Sequence, residues 1–117
     1  MKPERIANRD CREYVQNRHA FVGSNLYAEH RVVGTYPHSD CHHYTVYSYG
    51  YHFPMFIYVE GVGWFENEDK YSRSTSKHYV QAHPHAQTRK LSTRAMEYLD
   101  NRGYRELLRG RFNGAIF

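Results

Sequence analysis

The chain has 117 residues, of which 40% are hydrophobic, 16% aromatic and 24% charged, with a net charge of +4. That length fits one domain able to bury a core without metal or disulfide staples. No apolar run reaches spanning length and no signal-peptide pattern follows Met1, which argues against a membrane span or a secreted chain and makes a soluble intracellular protein the expectation.

Charge is unevenly spread. Residues 1–69 hold six Lys/Arg and nine Asp/Glu, whereas residues 70–117 hold ten and three. A basic half can meet nucleic acid or an acidic protein surface, or it can be a solvated, Arg-rich helical face. Twelve of the sixteen cations are Arg, whose planar fork suits phosphate and carboxylate. Cys11 and Cys41 could pair, but two thiols in a small chain are usually reduced.

In chain order, residues 1–7 read as a loose arm of a single domain spanning 1–117. Asn8 or Asp10 can cap a short helix to about Arg18, with Cys11, Tyr14 and Val15 as a narrow apolar stripe. His19 to Val22 reads as a first strand and Gly23-Ser24-Asn25 as a turn. Leu26 to Val33 alternates as a second strand, with Leu26, Ala28 and His30 on one face. Gly34 to His43 is polar and reads as a loop. Tyr44 to Tyr49 alternates again, Tyr44, Val46 and Ser48 opposing Thr45, Tyr47 and Tyr49. Met55 to Glu60 is apolar on both faces and belongs at the centre of the sheet. Gly61-Val62-Gly63 turns the chain into a fifth strand at Trp64.

A short edge strand at 70–74 and then a short helix ending before Pro84 fit the next segment. Ser92 caps a helix from Thr93 to Arg102 that buries Met96 and Leu99, with Gly103 closing it. Tyr104 to Arg109 can add a turn or two. The expected fold is α+β: a curved antiparallel sheet of four to five strands, a short N-terminal helix, and one or two C-terminal helices, all on one face. Phe21, Val46, Ile57, Trp64, Met96 and Leu99 are its expected core.

Three kinds of chemistry have ingredients here. Nine histidines include His38-x-x-Cys41-His42-His43 and His83-Pro84-His85, but neither cluster has the paired spacing of a zinc finger, ribbon or His-Glu-x-x-His helix. No metal and no cofactor are expected. Lys77-His78, with Glu66, Glu68 and Asp69 upstream, supplies the residue types of a small nuclease or phosphodiesterase without a diagnostic spacing. Tyr47, Tyr49, Tyr51 and His52 cluster at one end of the central hairpin, where rings could stack bases or form a protein-binding hot spot. Arg102, Arg105 and Arg109 would align at i, i+3 and i+7 if one helix ran through Gly103. These seven residues are the expected contact surface. Twelve tyrosines could equally furnish a homodimer seam.

The strings beginning Phe21-Val-Gly-Ser-Asn-Leu-Tyr-Ala-Glu, Tyr47-Ser-Tyr-Gly-Tyr-His-Phe-Pro-Met and Trp64-Phe-Glu-Asn-Glu-Asp-Lys-Tyr-Ser-Arg-Ser-Thr-Ser-Lys-His resemble a family of small uncharacterised proteins of tailed bacteriophages and other mobile elements. The resemblance spans roughly residues 14–84, and no catalytic or binding residue carries over from it. It implies a viral origin and the cytoplasm of a bacterial host. With the charge asymmetry, it leads to a non-enzymatic accessory protein that binds a host or viral protein or nucleoprotein with an acidic surface. Inhibition of a nucleic-acid-handling bacterial defence system is the specific form of that reading. A nuclease or phosphodiesterase using His78 and a simple DNA- or RNA-binding module are the alternatives.

Overall fold

The computed structural model describes residues 3–35, 38–49, 53–69 and 73–108. These form seven strands: β1 (Glu4–Arg5), β2 (Phe21–Val22), β3 (Leu26–Thr35), β4 (His38–Ser48), β5 (Pro54–Val59), β6 (Gly63–Asn67) and β7 (Thr88–Leu91). Four α-helices accompany them: α1 (Cys11–Gln16), α2 (Arg73–Ala82), α3 (Thr93–Arg102) and α4 (Tyr104–Leu108), with a 3₁₀ turn at Asn8–Asp10 before α1. The strands lie side by side in sequence order in one open sheet. Pairing is antiparallel from β2 to β6 and parallel at both ends, β1 with β2 and β6 with β7.

Mixed helix and sheet content agrees with the α+β expectation. The four to five antiparallel strands do not: seven are present, and the sheet is mixed. Parallel neighbours need a crossover segment, and the chain supplies one at each end. The 3₁₀ turn and α1 join β1 to β2, while α2 joins β6 to β7. Glu4–Arg5 pairs with β2 where a loose arm was expected. The polar stretch expected as a loop instead carries β4 back to His38, so the β3–β4 ladder runs past the end of β5. Arg73 and Ser74, expected in an edge strand, lie within α2; residues 70–72 lie outside the described residues.

Helices cover both faces of the sheet, not one, and the reason is visible in β5. Phe56 and Tyr58 point to one side and Ile57 and Val59 to the other, and most of this strand is buried. Each side therefore needs a cover. On the first, Phe21, Ala28, Val46, Phe56 and Trp64 pack with Cys11 and Val15 of α1 and Tyr79 and Ala82 of α2. On the second, Ile57, Val59, Phe65 and Leu91 pack with Ala95, Met96 and Leu99 of α3 and Leu107 of α4. All six expected core residues are buried, divided between these two cores. Burying a side chain of this size stabilises by about 1.5–3 kcal/mol.

Helix α3 begins and ends as its residues dictate. Ser92 Oγ accepts a hydrogen bond from the Ala95 N–H at 3.2 Å, and Gly103, at φ 92°, donates its N–H to Leu99 O at 2.9 Å. Near its C-terminal end Asp100 is turned into the sheet. Its carboxylate accepts from His43 Nε2 (2.9 Å), Thr45 Oγ1 (2.6 Å) and Tyr47 OH, with Arg31 Nε at 3.4 Å. Burial alone would push this carboxyl up; the three hydrogen bonds and the Arg31 charge outweigh it and hold the group below its ordinary value of 3.8. Tyr47 is pushed the opposite way, by burial first and then by the Asp100 charge.

Replacing Asp100 by Ala strands these donors in a buried site and is expected to cost about 3–5 kcal/mol, the penalty for breaking a buried pair from one side. Urea denaturation measures this, and an unshifted midpoint would mean the network contributes nothing. Because the folded-state pKa is depressed, the stabilisation is complete above 3.8 and lost as pH falls through the lower folded-state value. Asp100→Asn should flatten that acid limb of the stability curve.

Candidate functional site

A cleft of about 360 Å³ opens where the first crossover, the β2–β3 turn, the end of β4 and α2 meet. Each wall is held by a specific contact. Helix α1 is tied to the last turn of α2 and the residues after it: Arg12 donates to the carbonyls of Val80 and His83, Gln16 Nε2 to that of Pro84 at 3.2 Å, and Cys11 Sγ lies 3.5 Å from Gln81 O. Burial pushes the Cys11 thiol up to about 11, so it serves as a packed, inert side chain. Across the cleft, Asn8 Oδ1 accepts the N–H groups of Ser24 (2.9 Å) and Asn25 (3.4 Å). Gly23 is required at this turn because a Cβ there would sit 2.4 Å from Asn8 Oδ1 and 2.9 Å from Leu26 O.

The chemistry lies on β4 and α2. Ser48 Oγ and His78 Nδ1 are 2.7 Å apart, and both residues are buried. That bond occupies Nδ1, and His78 lines the cleft. Desolvation, with a smaller contribution from the Lys77 charge, lowers the His78 pKa. Tyr49 follows Ser48. Strand alternation would send its ring to the face of Thr45 and Tyr47, but its backbone is left-handed, at φ 56°. The ring instead meets His78 on the α2 side, centroids 5.2 Å apart and planes at 41°, and stays 52% exposed. A non-glycine residue in this conformation costs about 1–2 kcal/mol, and such strain clusters at functional sites.

Arg9 and Lys77 bring two cations to the walls, and no Asp or Glu lines the cleft among the described residues. Neither cation has an ion-pair partner among those residues. Gln81 Oε1 is shielded from solvent and has no hydrogen-bond partner among them. A second cleft, of about 420 Å³, lies at the far end of the β3–β4 ladder. Arg18, Arg31 and Glu60 line it; Arg31 is paired with Glu29 and Asp100, and the Arg18 guanidinium sits 4.4 Å from the centroid of the Tyr58 ring.

The structure divides the expected contact residues. Tyr49 is at the cleft. Tyr47 is buried, its ring stacked on Tyr27 at 5.2 Å and its hydroxyl spent on Asp100, so it is not presented to a partner. Arg102 and Arg105 are exposed, but Gly103 ends α3, so they stand on separate helices across the sheet from Tyr49. Arg102 lies 5.7 Å from the Tyr98 ring centroid. Tyr51, His52 and Arg109 lie outside the described residues.

Glu66 and Asp69, the carboxylates considered for a nuclease, hold the fold elsewhere. Glu66 Oε1 accepts from Thr88 Oγ1 at 2.7 Å, and Asp69 Oδ2 accepts from Thr93 N at 2.9 Å. His42 and His43 point to opposite sides of β4, and His83 Nδ1 accepts the His85 N–H at 2.9 Å. No three His, Cys, Asp or Glu side chains converge as metal ligands among the described residues; the His38 and Cys41 side chains lie outside that description. No helix among them is long and apolar enough to cross a membrane. Protein-family models, curated proteins and solved structures were all compared with the chain, and none matches.

Asn8, Arg9, Asn25 and Ser48 enter the site only through the fold; their one sequence signal is that Ser48 shares a strand face with Val46. An NMR titration of His78 is expected to show a midpoint below the ordinary 6.5, and Lys77→Gln should move it upward. The depressed value means that His78 stabilises the fold in full above 6.5 and withdraws that contribution as pH falls through its folded-state pKa. A midpoint at or above 6.5 would refute the desolvated placement.

Proposed function

We propose that the protein is a non-enzymatic phage accessory protein that binds a host or viral macromolecule, with nucleic acid or a nucleoprotein entering the Tyr49–His78 cleft. The observation that carries this reading is a concave site with two cations that have no ion-pair partner and no lining carboxylate among the described residues, and an exposed, conformationally strained tyrosine. Cations attract phosphate, and an aromatic face held at the mouth stacks a base without regard to sequence. The viral setting rests on the motif resemblance. Interference with a nucleic-acid-handling defence system follows from that setting and from the partner chemistry. Arg102 and Arg105 add positive potential from the other face of the sheet and would act on encounter rather than on contact.

A second reading is favoured by one feature, the Ser48–His78 bond. A general acid–base histidine needs one ring nitrogen fixed and the other free, and the Ser48 bond supplies the fixed one. In a metal-independent phosphodiesterase His78 would exchange a proton through Nε2.

Fluorescence anisotropy with single-stranded DNA and RNA over a salt series tests the first reading. Affinity should fall steeply with salt, about 0.7 in log–log slope for each phosphate neutralised. Tyr49→Ala should cost about 1–3 kcal/mol, the range for one stacked base. Salt-independent binding, or binding untouched by both Tyr49→Ala and Lys77→Glu, would overturn it. The second reading predicts strand cleavage that His78→Ala eliminates; intact substrate with the wild-type protein rejects it.

A further inference from the structure

We propose that the cleft takes a single nucleotide by its terminal phosphate, a phosphate monoester attached to a base, rather than an internal stretch of a strand. This deepens the binding reading above and rests on it. Three observations lead there.

The first is shape. A volume of about 360 Å³, walled by two turns, a strand end and a helix and partly open to solvent, has room for one compact ligand. It lies at the small end of the range of roughly 300–1,000 Å³ in which proteins enclose a compact ligand. A continuous strand needs an open groove with an entrance and an exit. One nucleotide needs only a mouth.

The second is charge. An internal phosphodiester carries one negative charge and two free oxygens. A terminal monoester carries about −1.5 to −2 at neutral pH and three strongly accepting oxygens. Arg9 on the 3₁₀ turn and Lys77 on α2 are two cations on different walls, with no lining carboxylate among the described residues to offset them. Asn8 commits its Oδ1 to the backbone of the β2–β3 turn, which leaves its amide NH₂ as a neutral donor. This donor set matches the dianion more closely than the diester.

The third is the remainder of the ligand. One side of the Tyr49 ring approaches His78 while half of the residue stays open at the mouth, where a base can lie against it. Gln81 Oε1 is a shielded acceptor without a protein partner among the described residues. A buried acceptor of that kind calls for a donor, which a sugar hydroxyl or an exocyclic amine supplies and the phosphate monoester dianion, with no O–H of its own, does not.

The test uses the full chain and a 3′-labelled single-stranded oligonucleotide with either a 5′-phosphate or a 5′-hydroxyl. The phosphorylated strand should bind about tenfold tighter or more, the scale of a charge-assisted contact. Lys77→Gln should reduce that preference severalfold, and Tyr49→Ala, which removes the surface for the base that both strands carry, should weaken both; both positions are exposed. Competition then separates the two sources of the same chemistry. Displacement by a nucleoside 5′-monophosphate at concentrations near that of the strand assigns a free nucleotide as the ligand. Displacement only at about hundredfold higher concentration assigns the strand end, with the rest of the strand contributing outside the cleft. Equal affinity for the two strands overturns the terminal-phosphate assignment and leaves the binding reading standing. No binding to either strand removes both.

Discussion

A strand that is apolar on both faces cannot leave either one in water. In β5, Phe56 and Tyr58 face one side of the sheet, and Ile57 and Val59 face the other. Everything else follows from covering both. The crossovers that link the parallel pairs at the two edges lay α1 and α2 over the first side. The chain after β7 returns with α3 and α4 over the second. Two cores back to back on one sheet let 117 residues bury a large aromatic complement. The two sides then diverge in use. One is pinned by the buried Asp100 carboxylate, which draws donors from β4 and the Arg31 charge toward α3. The other ends in the cleft.

Much of this was legible in the residues themselves. Alternation along Leu26–Val33 and Tyr44–Ser48 assigns faces that the structure keeps. Ser92, the Met96–Leu99 pair and Gly103 define α3 from cap to cap. What escaped was decided by backbone pairing rather than by side chains. β1 has two residues and β7 reads Thr-Arg-Lys-Leu, so neither carries an apolar pattern; each forms because a neighbour presents an unpaired edge. The apolar character of β5 on both faces was visible, and it already argued against helices confined to one side.

The cleft was legible only in pieces. Tyr49 and Lys77-His78 stand out by residue type, but Asn8, Arg9 and Asn25 join them from distant parts of the chain. Tyr47 and Tyr49 are two residues apart on an alternating strand, so they should share a face. A left-handed backbone at Tyr49 separates them. Strained residues re-aim side chains in this way, and no periodicity argument detects them. Arg102 and Arg105 part for a parallel reason, a positive φ at Gly103 that interrupts the helix.

The two rims of the sheet bear on how copies of the molecule meet. The β1 and β7 borders are two and four residues long, and β7 exposes Arg89 and Lys90. Short and cationic borders discourage another chain from docking its backbone alongside. The stretch of β3 from Glu29 to Thr35, with β4 on one side and no strand on the other among the described residues, lacks that protection. Backbone pairing between copies, where it occurs, is directed to that overhang.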